Sequence, residues 1–184
     1  MFVFTDRDGV INRNYDGSYI NSWNDFEFLP GAIDAFKKLA GNNIRCAVMS
    51  NQSGVGKNIM TEEELYEVDR RMHEELRKKG CAVEKTYYCI HRPDESCGCR
   101  KPMPGLLIKA CREMNLNPAD GFFIGDYFTD IEAGHSAGMK TALVKTGRGK
   151  EALLMRNEWK REPDFIADNL KDAVDIIIKL KEKE

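Results

Sequence analysis

Short apolar runs rich in strand-forming residues alternate along this chain with amphipathic helical patterns, and this alternation is its strongest constraint on fold. Five runs are predicted to be buried strands: 2–5 (FVFT), 45–49 (RCAVM), 86–90 (TYYCI), 122–125 (FFIG) and 141–144 (TALV). Parallel strands buried on both faces read as continuous apolar runs, and helices connect them. The pattern therefore predicts an α/β fold with a parallel sheet.

The segments between these strands have their own signals. Helices are predicted over 31–40, 61–80, 104–115 and 130–139, and the tail from Asp164 adds a short strand and a closing helix. Thr61 and Glu64 have the spacing of a capping box, and Gly80 is a stop signal for the same helix. The segment 12–30 is polar and aromatic without clear periodicity, so we expect a flap over one edge of the sheet.

Bulk composition narrows the class of function. The 184 residues are typical of one domain, 1–184. A formal net charge of −2 offers no basic surplus for nucleic acid or for a membrane surface. No apolar run reaches the roughly 18 residues of a membrane helix. The first predicted strand begins at Phe2, so we expect no export signal. We expect a cytoplasmic monomer without nucleic-acid or membrane partners.

Polar residues follow the ends of four predicted strands. Ligands of an open α/β sheet bind outside the carboxyl ends of its strands, so these residues are expected to share one pocket. In chain order they are Asp6 and Asp8, Ser50 and Asn51, Arg100 and Lys101, and Asp126 and Asp130.

The chemistry of this set is that of phosphoryl transfer. Carboxylates as close as Asp6 and Asp8 repel each other, so a cation is expected beside them. Oxygen ligands without histidine favour Mg²⁺, which commonly binds substrate phosphate. Ser50 and Asn51 offer hydrogen bonds to an anion and Lys101 offers a positive charge, so the substrate is expected to be a small phosphorylated molecule.

In this order, and at strand ends, the motifs resemble those of the haloacid dehalogenase superfamily, from "FTDRDGVIN" to "LVKTGRG". The resemblance implies a Rossmann-like, doubly wound parallel sheet without a large cap domain. It also implies that Asp6 is the nucleophile that forms an aspartyl-phosphate and that Asp8 is the general acid/base. Ser50 and Lys101 would stabilise the transferring phosphoryl group.

The same resemblance implies a Mg²⁺ site. Its ligands would be the Asp6 carboxylate, the Asp8 backbone carbonyl and Asp126, with Asp130 in support. An aspartate at position 8 is typical of the phosphatases of this superfamily, whereas its ATPases have threonine there.

A second cluster lies in "CIHRPDESCGCRKP", residues 89–102. Cys89, His91, Cys97 and Cys99 offer four ligands suited to tetrahedral Zn²⁺, and a fully occupied set would be structural. A disulfide or scattered core residues are the alternatives, although "RPDESCG" is too polar for a core. We predict a zinc loop, 89–99, that holds Arg100 and Lys101 in place.

One branch of the superfamily has such a zinc loop and no large cap. It contains D-glycero-D-manno-heptose 1,7-bisphosphate 7-phosphatases and histidinol-phosphate phosphatases, and this chain looks closer to the heptose enzymes through "YINSWNDFEFLPG", "SNQSGVGK", "CRKPMPGLL" and "LVKTGRGK". By that match the substrate-binding residues would be Asn14, Tyr19, Asn51, Gln52, Ser53, Arg100 and Tyr127.

Three departures bear on the substrate. Thr5 replaces an apolar residue, Tyr127 replaces a basic residue common in heptose enzymes, and five residues separate His91 from Cys97, a gap also typical of the histidinol-phosphate branch. Histidinol phosphate is therefore the alternative substrate. A non-catalytic zinc-stabilised binding module and a polynucleotide 3′-phosphatase are remoter alternatives.

Three further polar side chains are expected to have structural roles. Arg7 is predicted to point away from Asp6 and Asp8, because side chains alternate in an extended chain. His73 lies mid-helix among charged residues and is predicted to be solvated. His135 is predicted to be a surface or packing residue.

Overall fold

A parallel sheet forms the centre of the molecule in a computed structural model, which describes residues 1–15, 18–81 and 83–182. Within these residues the strands are β1 (Phe2–Thr5), β2 (Arg45–Asn51), β3 (Lys85–Cys89), β4 (Gly121–Gly125), β5 (Lys140–Val144) and β6 (Phe165–Ala167). All pairings are parallel, in the order β3-β2-β1-β4-β5-β6. The direction of winding reverses between β1 and β4, so the predicted doubly wound parallel sheet is confirmed.

Helices cover both faces of this sheet. In the described part of the chain they are α1 (Ala32–Gly41), α2 (Ser53–Gly56), α3 (Glu62–Lys78), α4 (Gly105–Glu113), α5 (Phe128–Ser136), α6 (Gly149–Leu154) and α7 (Leu170–Lys181). Among them none is both long and apolar enough to cross a membrane.

The predicted capping box at the start of α3 is confirmed. The Glu64 backbone N–H donates to Thr61 Oγ1 over 3.1 Å, and the Thr61 N–H donates to Glu64 Oε2 over 2.8 Å. Three acidic residues in the first turn also complement the helix dipole. The helix ends just before Gly80, whose φ of 78° few other residues adopt readily.

Two apolar layers hold the helices against the sheet. On one face Val3 and Val48 belong to the same cluster as Phe36 of α1 and Ile177 of α7. On the other face, Phe2, Phe4 and Met49 cluster with residues of α4 and α5 such as Leu107 and Ala133. Alternate residues of one strand serve opposite layers, which accounts for strands that are apolar throughout.

The connection after β1 contains the predicted flap, 12–30, of which Asp16 and Gly17 lie outside the described residues. Asn12 pairs with Phe28 in an antiparallel bridge, and Trp23 stacks on Phe26 with ring centroids 4.8 Å apart. Tyr19 lies directly against Gly54 of α2. Within the described residues, the stretches from β1 to α1 and from β3 to α4 contain no helical cap domain, and their only helical structure is short 3₁₀ turns.

The histidine predicted to be solvated is in fact packed against the sheet. The His73 side chain is only 18% exposed, and its Nε2 lies 2.9 Å from Thr86 Oγ1 of β3. The pattern of charges around it was misleading, because the position itself faces the edge strand. His135 bonds Thr141 and the Glu162 carbonyl, in agreement with a packing role.

Candidate active site

The functional residues predicted at the strand ends meet in one pocket of about 270 Å³. We call it the carboxylate pocket. Its walls come from the segments after β1, β2, β4 and β5 and from the segment that leads to α4. The lining residues are Asp6, Asp8, Asn14, Ser18, Tyr19, Ile20, Ser50, Asn51, Gln52, Arg100, Lys101, Asp126, Tyr127, Thr129, Asp130 and Arg148. Of the seventeen residues predicted for the two sites, twelve line this pocket, Ser53 lies behind it and four form a separate cluster.

Lys101 links two of the carboxylates at the floor of the pocket. Its Nζ lies 2.9 Å from Asp6 Oδ1 and 2.7 Å from Asp130 Oδ1, and it also donates to the Met49 carbonyl. The side chains of Lys101 and Asp130 are each 2% exposed. Burial lowers the pKa of Lys101, but Asp130 and Asp6 outweigh burial and raise it above its ordinary value. Lys101 is therefore a fixed cation.

One lysine does not neutralise three carboxylates. Burial raises the pKa of Asp6 to about 6, although the attraction of Lys101 partly offsets it. Burial and the charges of Asp130 and Asp6 raise the pKa of Asp126 well above its usual range. The protein alone thus leaves an excess of negative charge at this point, which a bound cation would relieve.

The three carboxylates fit a hard divalent cation. One oxygen each of Asp6, Asp126 and Asp130 lies within 4.8 Å of the others. Oxygen ligands of this kind, in a small set that leaves room for water and phosphate, suit Mg²⁺. Lys101 contacts Asp6 and Asp130 but lies farther from Asp126 in this network, so Asp126 is the carboxylate most dependent on a cation.

Asp126 is held between two glycines that approach it from different segments. A Cβ atom on Gly9 or on Gly147 would lie 2.0 Å from Asp126 Oδ2, which is far inside van der Waals contact. Both glycines also have positive φ angles, 84° and 53°. The Arg148 backbone N–H completes the site by donating to the same oxygen over 2.8 Å. Sequence reasoning missed these contacts, because they join segments far apart in the chain.

Asp8 is fixed by three side chains. Arg7 donates to both of its oxygens, Asn12 Nδ2 donates to Oδ1 over 2.9 Å, and Gln52 Nε2 donates to Oδ2 over 2.5 Å. The prediction that Arg7 points away from both aspartates is therefore wrong with respect to Asp8. Strand β1 ends at Thr5, so the alternation of an extended chain no longer applies at position 7.

The segment after β2 connects the pocket to the segment that carries Lys101. The Asn51 side chain accepts from the Lys101 backbone N–H and donates to its carbonyl, over 3.1 and 3.2 Å. Gln52 bonds both Ser50 Oγ and Asp8. Asn51 and Gln52 thus use much of their hydrogen-bonding capacity within the protein, and their contacts are those of supports for Lys101 and Asp8.

Cationic side chains surround the entrance of the pocket. On one side Tyr19 hydroxyl lies 3.2 Å from Ser53 Oγ and accepts from Lys57 Nζ over 3.0 Å. Burial raises the pKa of Tyr19, but hydrogen bonds with Ser53 and Lys57 and the charge of Arg100 lower it overall.

On the other side, Arg148 stacks over the ring of Tyr127, with its guanidinium carbon 3.6 Å from the ring centroid. The same guanidinium is paired with Glu151. Many heptose enzymes have a basic residue where this chain has Tyr127. Here Arg148, from the loop after β5, places a positive charge beside that position. The only sequence signal for Arg148 was the charged run at 148–150.

The predicted ligands Cys89, His91, Cys97 and Cys99 form a second cluster, in a segment that we call the Cys/His loop (residues 89–99). Cys99 Sγ lies 3.3 Å from Cys89 Sγ and 3.2 Å from His91 Nδ1, and Cys89 and Cys97 are 3.5 Å apart. Four ligands around zinc at about 2.0–2.3 Å would be about 3.4–3.8 Å apart, so the cluster fits a tetrahedral metal. All six cysteines of the chain are free thiols, which disagrees with the disulfide alternative.

Comparison with known proteins agrees with the geometry. Residues 98–173 match the HAD-hydrolase-like family model. The D-glycero-beta-D-manno-heptose-1,7-bisphosphate 7-phosphatase of Pasteurella multocida is 31% identical and covers 97% of each chain. The D-glycero-alpha-D-manno-heptose-1,7-bisphosphate 7-phosphatase of Mycobacterium tuberculosis is 37% identical over 73% of this chain and 71% of its own.

A solved structure is similar over its whole length. The D,D-heptose 1,7-bisphosphate phosphatase of B. bronchiseptica, in complex with magnesium and phosphate, superposes with a TM-score of 0.91 at 28% identity and covers 98% of this chain and 99% of its own. The expected superfamily, fold and class of enzyme are thereby confirmed. The chain belongs to the haloacid dehalogenase-like hydrolases, in the family of the heptose bisphosphate phosphatases, and is a phosphoric monoester hydrolase.

Proposed function

We propose that this chain hydrolyses the 7-phosphate of D-glycero-D-manno-heptose 1,7-bisphosphate through an aspartyl-phosphate on Asp6, in the biosynthesis of nucleotide-activated heptose. The observation that carries the chemistry is the contact of Asp6 with the buried ammonium of Lys101, opposite Asp8 in one pocket. The names of the relatives support the choice of sugar.

In the first step an Asp6 oxygen attacks phosphorus as the bond from phosphorus to the sugar oxygen breaks. The Arg7 backbone N–H and Lys101 both contact Asp6 Oδ1, so the nucleophile is oriented before substrate arrives. Asp8 gives a proton to the leaving sugar oxygen. Lys101 and Ser50 would stabilise charge on the phosphoryl oxygens.

In the second step, Asp8 takes a proton from water as the water oxygen attacks the aspartyl-phosphate. The bond between phosphorus and the Asp6 oxygen breaks, which releases phosphate and restores both aspartates. One residue serves as acid and then as base, so its carboxylate must stay in place between the steps. The contacts of Asn12 and Gln52 with Asp8 contribute to this requirement.

Two metals complete the proposal. Mg²⁺ would be held by Asp6, the Asp8 backbone carbonyl and Asp126, with Asp130 in support, and it would supply positive charge to the phosphoryl oxygens. Zn²⁺ in the Cys/His loop would be structural. Burial raises the pKa of the Cys97 thiol, but hydrogen bonds from the Arg100 N–H and neighbouring thiols lower it overall to about 7. Burial raises the pKa of Cys89 and Cys99 above the ordinary value, so a bound metal would be needed to hold these two as thiolates.

The rest of the substrate would lie against the entrance of the pocket. Asn14, Tyr19, Arg100 and Tyr127 line it and are proposed sugar or phosphate contacts. Ser53 would act through its contact with Tyr19. Arg100 and Arg148 both line the pocket, and a substrate with a second phosphate needs cations beyond those of the reaction centre.

We further propose that residues 1–184 act as one domain, as a cytoplasmic monomer, with the flap (12–30) and the Cys/His loop in place of a cap. The largely balanced charge and the enclosed set of carboxylates support a small phosphorylated substrate over nucleic acid.

The test of substrate is phosphate release from heptose 1,7-bisphosphate and from histidinol phosphate under identical conditions with Mg²⁺. We expect kcat/KM to be at least tenfold higher for the heptose bisphosphate, because its second phosphate can reach Arg100 or Arg148. A tenfold preference for histidinol phosphate would overturn the choice of sugar but not the chemistry. Assignment by ³¹P NMR of the phosphate that remains on the sugar tests cleavage at C7. Both anomers of the substrate are compared, because the relatives include phosphatases of both.

A further inference from the structure

Arg7 is the largest fully buried side chain of the described residues, yet neither the proposed chemistry nor the core explains it. It stands between the two aspartates and has no exposed surface. Burying a guanidinium is unfavourable unless it is paired and hydrogen-bonded. The groups that pair with the Arg7 guanidinium should therefore indicate the role of this residue.

The main partner of Arg7 is the carboxylate of Asp8. Arg7 Nε lies 3.2 Å from Asp8 Oδ1, and Nη2 lies 3.1 Å from each of the two oxygens. This fork fixes the plane of the carboxylate as well as its position, which a single hydrogen bond does not do. Asp8 cannot rotate out of the pocket without breaking these bonds.

A second set of contacts orients Arg7 itself. Its guanidinium lies over the ring of Tyr88 in β3, 5.7 Å from the centroid. The Tyr88 hydroxyl in turn donates to Asp69 Oδ1 of α3 over 2.8 Å. The backbone carbonyl of Arg7 accepts from the N–H groups of residues 10–12, which closes the turn after β1. A chain of contacts thus runs from α3 through β3 to Asp8.

The hydrogen bonds of the Arg7 guanidinium favour a role in positioning Asp8 over a purely structural role in the core. Within the described residues, Nη1 has no hydrogen-bond partner, whereas Nε and Nη2 are both directed at Asp8. A guanidinium has five N–H donors, and the side-chain hydrogen bonds that Arg7 donates within the described residues all go to the Asp8 carboxylate. Arg7 leaves a donor unsatisfied and keeps the fork on the acid/base.

We propose that Arg7, oriented by Tyr88, is a positioning residue that holds Asp8 where it can protonate the leaving oxygen. The proposal rests on the proposed role of Asp8 as general acid. Arg7 is fully buried and is not among the residues that line the carboxylate pocket, so its loss should act through Asp8. Proton donation matters most when the leaving group is a poor one, such as a sugar alkoxide, and little when the leaving group is p-nitrophenolate.

The experiment measures kcat/KM, which reports formation of the phospho-enzyme, for two generic esters with Mg²⁺ present. The esters are glycerol 2-phosphate, with a poor leaving group, and p-nitrophenyl phosphate, with a good one. For Arg7→Met we expect a loss of about a hundredfold with the first and less than about fivefold with the second. Neither ester contains heptose, so failure of the sugar proposal leaves this test intact.

Matched variants separate placement from folding. Arg45→Met removes a similar forked ion pair, to Glu84, far from the pocket, and should change neither rate by more than about twofold. Tyr88→Phe keeps the ring and removes the hydroxyl that bonds Asp69 and interacts with Arg7, so it should give a smaller, equally selective loss. Arg7→Lys keeps the charge without the fork and should restore only part of the activity.

Equal losses with both esters would overturn the proposal, because they would indicate a smaller fraction of folded enzyme. If Arg7→Met does not fold, Tyr88→Phe and Arg7→Lys carry the test. An Asp8→Asn background gives the final check: there, Arg7→Lys should no longer alter the ratio of the two rates. If Arg7→Lys changes the ratio of the two kcat/KM values as much in the Asp8→Asn background as in the wild type, Arg7 does not act through Asp8.

Discussion

The carboxylate pocket and the Cys/His loop both collect ligating side chains at the carboxyl end of the sheet, but different parts of the chain build them. The pocket takes Asp6, Asp126 and Asp130 from residues that follow central strands, and two of these side chains are almost wholly buried. Three ligands of the Cys/His loop lie beyond β3, an edge strand, in a segment whose only regular element is a 3₁₀ turn, Pro93–Glu95.

This difference separates two uses of a metal. The strands already hold the oxygens of the carboxylate pocket together, so a cation there would neutralise charge and serve the chemistry. In the Cys/His loop, a metal would supply the cross-links that regular structure does not provide. The two regions join at Arg100 and Lys101, which immediately follow Cys99. The shape of one site is therefore expected to determine the position of a charge in the other.

The largest effect should come from Asp6, the proposed nucleophile. Asp6→Asn keeps the shape and the hydrogen bond from the Arg7 N–H but cannot form the acyl-phosphate, so phosphate release should fall by at least about 10⁴-fold. Asp120→Asn, at an exposed carboxylate, is the control. Substantial turnover by Asp6→Asn, after deamidation is excluded by mass spectrometry, would remove Asp6 from the role of nucleophile.

Removal of Mg²⁺ should have the next largest effect and should be reversible. Brief chelation by EDTA should lower kcat by about 10³-fold, since a Lewis acid contributes several kcal/mol of charge stabilisation. Added Mg²⁺ should restore activity at once, because β1, β4 and α5 keep the three carboxylates in place. Circular dichroism should not change. A loss that persists after Mg²⁺ is restored would show that the pocket also depends on the metal for its shape.

Disruption of the Cys/His loop should have a smaller effect on rate and a larger one on local order. Cys99→Ser is expected to lower zinc content, measured by mass spectrometry, and to lower kcat by about 10–100-fold, because Lys101 is no longer held in place. Cleavage by trypsin at Arg92 should become faster. Cys111→Ser, at a buried thiol outside the cluster, is the matched control. Unchanged kinetics in a zinc-free Cys99→Ser variant would show that the carboxylate pocket does not depend on the Cys/His loop.

The smallest effect concerns stability and pH. Burial raises the pKa of Asp6 from 3.8 to about 6, so the folded protein without metal binds a proton more readily than the unfolded chain. The stability associated with that proton is fully present below about pH 4 and is lost as the pH rises through about 6. Mg²⁺ neutralises the same charge and should compensate for this loss.

We therefore expect Mg²⁺ to raise the Tm by a few degrees more at pH 8 than at pH 5, at about 2–4 °C per kcal/mol for a chain of this size. Differential scanning calorimetry in both buffers measures this difference. Asp126→Asn should reduce it. An equal shift at both pH values would mean that protons and Mg²⁺ do not compete in the carboxylate pocket.

Much of the fold could be read from local patterns. Predicted and observed strands differ by no more than two residues at any end, because buried parallel strands are apolar throughout. The rule that ligands lie beyond strand ends then brought Asp6, Ser50 and Asp126 together without a model of the helices. The cysteine and histidine ligands were visible from spacing alone.

Contacts between distant segments could not be predicted in this way. Arg7 was misplaced because the strand stops two residues before it, and His73 because its neighbours in sequence are charged while its neighbour in space is Thr86. The two glycines against Asp126 and the Arg148 N–H have no motif of their own. Each of these depends on where a turn folds back, which tertiary packing decides.

The close approach of Gly147 and Arg148 to Asp126 also has a consequence during synthesis on the ribosome. Asp6 lies about 140 residues before the loop that closes the wall beside Asp126, so it is synthesised well before that loop. A nascent chain that has formed β1 to β4 already has Asp6, Lys101 and Asp126, yet the fixed position of Asp126 awaits the turn after β5. Premature termination before that turn would yield fragments that contain the proposed catalytic residues Asp6, Lys101 and Asp126 but lack the contacts that fix the position of Asp126.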